Sequence, residues 1–180
     1  MPPFQAIIDF WFNELIPGQW WKKSADLDAL IAQQFTHLHT AASRGELDQW
    51  RQHKLGRLAE IIVLDQFSRH LYRGSARAFA SDSMALALAQ HAVALNAQKG
   101  FSANQKAFLY LPFMHSESRH IHQRALALFS EPGLEQNLRA ELRHKAIIDR
   151  FGRYPHRNKA LGRLSSDEES EFLKQKGSSF

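Results

Sequence analysis

The sequence contains no cysteine. That excludes disulfides, Cys-ligated zinc, iron–sulfur clusters and thiol nucleophiles. It also has no long uninterrupted apolar run. The stretch after Met1-Pro2-Pro3-Phe4-Gln5 is short, is broken by Asp9 and follows no basic segment, so neither a signal peptide nor a membrane span is expected. A soluble, cytoplasmic protein without membrane association is the expectation. Strand-like alternation of apolar and polar residues is missing throughout. There is no Lys/Arg tract either. Twenty-three basic against 18 acidic residues give a net charge of +5, which suits anionic partners but is also an ordinary solubility charge. RNA binding, suggested only by the basic pI, is disfavoured because no positive stripe is written in the sequence.

What is present is helical periodicity over nearly the whole of the 180 residues, 44% of them hydrophobic. Pro3 to Glu14 reads as a first helix with Ile7, Ile8, Trp11 and Phe12 inward, and Trp20 and Trp21 as a plug after Pro17-Gly18. Ser24 is a good N-cap for a second helix, whose stripe is Leu27, Leu30, Ile31, Phe35 and Leu38. Further helices are expected over Leu55 to Phe67, Asp82 to Asn96, and Ser102 to Leu111, where Pro112 breaks or kinks the chain. Another starts at His115 or Ser116 with Ile121, Leu126, Leu128 and Phe129 inward. The next, Leu134 to Arg150, has Leu138, Leu142, Ile147 and Ile148 inside and Gly152 as its cap. Ser165 with Glu168 reads as a capping box for a last helix ending at Gly177. Residues 1–180 are expected to form one all-α domain. It would be a compact array of roughly seven to nine antiparallel helices joined by short loops, a tetratricopeptide-like superhelix or a bundle. No 30–45-residue repeat is readable.

Three polar segments carry more charge than a helical scaffold needs. In Leu64-Asp65-Gln66-Phe67-Ser68-Arg69-His70-Leu71-Tyr72-Arg73-Gly74, Asp65 and Arg69 share a helix face. The apolar Ile61-Ile62-Val63-Leu64 pushes Asp65 inward, where a carboxylate needs a partner. In His115-Ser116-Glu117, adjacent side chains on a helix diverge by about 100° and cannot form a triad, but His115 and Glu117 could face a pocket. The third segment, Asp149 to Asn158 with Gly162-Arg163, places Arg150, Arg153, His156, Arg157 and Arg163 around a helix end and a proline turn. Arginine's planar fork suits carboxylate and phosphate. Among the 10 histidines, His115 and His122 lie about 10 Å apart along one helix, too far to share an ion, and there is no HExxH pair. No metal and no cofactor is assigned.

Leu64-Asp65-Gln66-Phe67 with Arg69, Tyr72-Arg73-Gly74, Tyr110 to Glu117, Phe151 to Asn158 and Leu161-Gly162-Arg163, with the opening Asp9-Phe10-Trp11-Phe12 and the closing Ser178-Ser179-Phe180, resemble the bacterial family catalogued as domain of unknown function 924. Ser68 departs from it: a proline is expected there. The resemblance implies an all-α, tetratricopeptide-like fold and no established activity. It marks the same charged residues. The function expected first is binding, with turnover left open, of a small phosphate- or carboxylate-bearing ligand in an inter-helical pocket. Gln66, Arg69, Arg73, Arg153, Arg157, Asn158 and Arg163 would bind it. Asp65 or Glu117 would be the candidate general base, and His115 or His156 its acid–base partner. The alternatives are a protein- or peptide-binding module with an Arg-rich groove, an RNA binder, and a scaffold in which the motifs form one ion-pair network.

Overall fold

The computed structural model describes residues 3–180, and every regular element among them is helical. None is long and apolar enough to cross a membrane. The chain divides into two compact units. One comprises the residues up to Arg73 with Arg77–Pro112, the other Gly74–Ala76 with Phe113–Phe180.

In the first unit, α1 (Pro3–Asp9) runs into a π-turn, Phe10–Glu14. α2 spans Ala25–Ser43 and α3 Lys54–Ile62. A second π-turn, Val63–Phe67, carries α3 without a break into α4 (Ser68–Leu71), where the sequence had suggested the helix runs out. α5 is Asp82–Ala94. α1 and α5 pack on α3, and α2 packs on α4. The core is aromatic. Trp11 is fully buried, with ring centroids 5.6 Å from Phe67 and 5.4 Å from Phe108. Trp20 plugs this core as expected, its indole N–H donating to the Trp11 carbonyl at 2.8 Å. Trp21 does not: it lies flat on Phe108 and is 59% exposed. Ser24 caps α2 by accepting from the Leu27 N–H. On α2's inner face, Leu30 is exposed and His39 is buried. The His39 Nε2 lies 2.8 Å from the Ser68 hydroxyl, which donates its one proton to the Leu64 carbonyl at 2.6 Å. The imidazole is therefore the donor. The same bond gives Ser68 a role: its hydroxyl satisfies the carbonyl four residues back, a bond that a proline could not make.

α6 (Ala103–Met114) passes through Pro112 and continues to Met114, so of the break or kink read at the proline, the break does not occur. In the second unit α7 (Arg119–Phe129) starts later than His115 or Ser116, after Ser118. α8 is Glu135–Phe151 and packs on α7. Gly152 ends α8 at φ +70°, the left-handed cap read from the sequence. The last capping box is shifted by one residue: Ser166 and Glu169 form it, and α9 (Asp167–Leu173) follows, ending before Gly177. Leu142 is exposed, while Ile147, Ile148 and Tyr154 form a core with Phe151 and Phe172 against it.

Candidate functional site

The last turn of a helix leaves carbonyls without intrahelical partners, and donors are favoured there. At the end of α6 and in the two residues after it, three successive carbonyls are taken by side chains. The Tyr154 hydroxyl donates to Met114 O at 2.5 Å, Arg157 Nη2 to His115 O at 3.0 Å and His122 Nε2 to Ser116 O at 2.8 Å. Two of the sequence motifs thereby meet in the second unit: the turn around His115 and the loop after α8.

Glu117 locks that loop. Its carboxylate accepts the Tyr154 backbone N–H at 2.7 Å and a bidentate pair from Arg163 at 2.6 and 2.9 Å. Burial pushes the Glu117 carboxyl up, but the Arg163 fork and the Tyr154 N–H outweigh it and hold it below the usual carboxylate range. A carboxylate so engaged is a poor proton acceptor, and its geometry is that of a brace. Arg163 also donates to the Tyr154 carbonyl and to Asn158 Oδ1. Arg153 forks onto Glu169 at 2.6 and 2.7 Å. Arg153 holds the Glu169 carboxyl down to about 2, against the cost of burial. Asn158, 1% exposed, reaches Ser165 and Glu169.

Around Tyr154 the second unit collects histidines. The imidazoles of His122, His144 and His156 lie 6.3, 5.7 and 5.6 Å from its ring centre, and the Arg157 guanidinium lies over the ring at 4.6 Å. His115, His122 and His156 are all close enough to His144 to oppose its protonation. Burial is the larger cause, and together they push His144 down to about 3. His144 Nδ1 donates to the Ala140 carbonyl at 2.8 Å. His122 and Glu141 form a fully buried pair at 2.6 Å. Burial raises the Glu141 carboxyl, and its second oxygen has no hydrogen-bond partner among the described residues. Because His122 Nε2 must carry a proton to reach Ser116 O, Nδ1 and Glu141 share a single further proton between them.

The motif around Asp65 lies in the first unit. Asp65 is 1% exposed, accepts from Gln66 at 2.5 Å and sits 3.5 Å from Arg69. Arg69 forks onto Asp82 at 2.9 and 3.0 Å. Arg73 forks onto Asp28, both bonds 2.7 Å, and Asp28 also receives His70 Nδ1 at 2.7 Å. Burial works against the Asp28 charge, but Arg73 and His70 keep its pKa low. Burial keeps His70 low despite Asp28. Among the described residues no three His, Asp or Glu side chains are placed to share a metal ion.

Sequence reasoning weighed His122 only as a metal ligand and missed its pairing with Glu141 and the burial of His144, although a signal was there. Glu141 stands seven residues after Leu134 and seven before Ile148, on the buried stripe of α8, and His122 stands seven before Phe129 on that of α7. A histidine and a glutamate on facing apolar stripes are complementary. Asp28 and Asp82 were missed as partners because nothing local links them to arginines 13 to 45 residues away.

The model of a family of bacterial proteins of unknown function, DUF924, matches residues 7–177. Among solved structures, the protein of unknown function ATU0120 from Agrobacterium tumefaciens is similar. It is 36% identical with a TM-score of 0.90, and the match covers 95% of this chain and 96% of that one. No curated relative matches.

Proposed function

The chain belongs to the DUF924 family of bacterial proteins of unknown function, and from that premise we propose that its second unit binds a small anion, a phosphate or a carboxylate, at the loop after α8. The observation that carries this reading is the gathering of four of the ten histidines, His115, His122, His144 and His156, near Tyr154 and Arg157. Imidazole N–H groups and a guanidinium fork are the donors that anion recognition uses. The binding set is His115, His156 and Arg157. Arg153, Asn158 and Arg163 hold the loop in shape through Glu117 and Glu169.

A second reading, that the charged motifs are scaffold, is favoured for some of the arginines by one feature. Arg69, Arg73, Arg153 and Arg163 each fork onto an internal carboxylate. We assign those four to bracing.

The test is a thermal-shift titration with inorganic phosphate, succinate and malonate on wild type and on His156→Ala. A ligand at 100 times its Kd adds about 2.7 kcal/mol, which for a domain of this size is a rise of roughly 5–10 °C. The rise is expected in wild type and lost in His156→Ala. No rise with any of the three anions would sink the reading.

A further inference from the structure

Next to the proposed anion site, one ring of the chain sits in a way that packing alone does not require. The Phe180 ring stacks on the His144 imidazole, centroids 3.6 Å apart and planes 19° from parallel. It meets Tyr154 at 81° and His156 at 80°, both edge-on, at 6.3 and 5.7 Å. Three rings thus form a box, one floor and two walls. The floor is a neutral imidazole, fixed by its bond to the Ala140 carbonyl, and so it offers its face to a planar partner without charge. The walls are fixed as well: Tyr154 is fully buried and tied to Met114, and His156 follows in the same braced turn.

The occupant is held far less firmly than the box. Phe180 remains 48% exposed, and among the described residues neither Ser179 nor Phe180 makes a hydrogen bond. The nearest anchors are the Ser178 hydroxyl on the Leu173 carbonyl at 3.1 Å and the Ser178 N–H on the Gln175 carbonyl at 3.3 Å, both local to the end of α9. Gly177 before it turns at φ +85°, a conformation that suits glycine. A side chain tethered through a glycine turn and held only by ring contacts is displaceable. His156 is common to the box and to the anion site, and Tyr154 carries Arg157 over its ring.

We propose that the slot between His144, Tyr154 and His156 receives the planar ring of a small aromatic anion, with Phe180 filling it in cis until the ligand displaces it. This rests on the anion-site reading and names its substrate class: a ring in the slot, with its phosphate or carboxylate toward His156 and Arg157. An occupant in cis weakens the apparent affinity by the fraction of time the slot is closed.

The experiment is calorimetric titration of wild type, Phe180→Ala and Phe180→Tyr with phenyl phosphate and with inorganic phosphate. Emptying the slot is expected to tighten phenyl phosphate about tenfold in Phe180→Ala, corresponding to a slot closed about nine-tenths of the time, and to leave inorganic phosphate within about twofold. Phe180→Tyr keeps a ring in the slot and should bind like wild type. Equal or weaker binding of phenyl phosphate by Phe180→Ala overturns the slot while inorganic phosphate binding upholds the anion site. Failure of inorganic phosphate to bind any of the three proteins overturns the anion site, and the slot with it. If Phe180→Ala does not fold, nuclear Overhauser contacts between Phe180 and His144 in wild type decide. Their loss at saturating phenyl phosphate is expected, and their persistence overturns the proposal.

Discussion

At the scale of single residues, two ion pairs near the end of α8 should differ widely in worth. Arg163 and Glu117 are each about one-quarter exposed, bidentate, and tied further to Tyr154 and Asn158. Removing Arg163 leaves a half-buried carboxylate without its charge partner. With discount for partial solvation, Arg163→Ala should cost about 1–3 kcal/mol, seen as a lower melting temperature and an unchanged denaturant slope. Arg150 meets Glu168 where both are mostly exposed, 47% and 64%. Arg150→Ala should change stability by less than about 1 kcal/mol. Equal losses would contradict the assignment of Arg163 as the brace. The two arginines look alike in the sequence. That Arg163 would be engaged was legible only as part of an arginine-rich loop, because its partner lies 46 residues away.

Among the elements, α3 offers the sharpest test. Gly56 lies inside that helix, where alanine normally gains about 1 kcal/mol. Here a Cβ would stand 2.1 Å from the Trp50 carbonyl oxygen and 2.9 Å from its carbon, both backbone. The sign should reverse, with Gly56→Ala losing about 1–3 kcal/mol through overpacking, measured by urea unfolding. Neutral or stabilising behaviour would show that the 3-10 turn at Asp48–Gln52 yields easily. The helices themselves were legible because apolar spacing, Ser24 and Gly152 are local signals. The ends were less so. Pro112 sits inside α6, and the box that opens α9 uses Ser166 and Glu169 in place of Ser165 and Glu168. Both pairs have the same spacing and chemistry. What selects Glu169 is Arg153, which takes its carboxylate from 16 residues away. The inner faces of α7 and α8 were misread for a similar reason: a rule that sends leucine inward and glutamate outward cannot anticipate Leu142 exposed and Glu141 buried against His122.

For the molecule taken whole, titration sets the acid limb of stability. His39, His70 and His144 have pKa values below that of a free imidazole. As pH falls below about 6.5 the unfolded chain takes up protons that the folded chain refuses, so stability falls with pH. For His144 the loss continues to about pH 3. Each such proton is worth about 1.4 kcal/mol per pH unit, roughly 3–5 °C in melting temperature at this size. Glu117 and Glu169, held low, add losses of the same sign in more acid solution. Glu141, held high, acts oppositely: its contribution is lost as pH rises through its folded value. Melting temperatures between pH 7.5 and 5 should therefore fall steadily for wild type and more gently for His144→Gln. Identical slopes would remove His144 from the account.

The π-turn at Val63–Phe67 works as a phase-shifter. A turn of this kind holds one residue more than a regular helical turn, so everything after it is set back by about 100° around the axis relative to an unbroken α-helix of the same length. Asp28, Asp82 and His39 are addressed by Arg73, Arg69 and Ser68, all of them downstream of the shift. Were 63–67 to wind as a regular helix with all five residues kept, the helix would stay continuous but all three addresses would be dialled to the wrong face at once; deleting one residue there would let the turn close as a regular one and leave them in place.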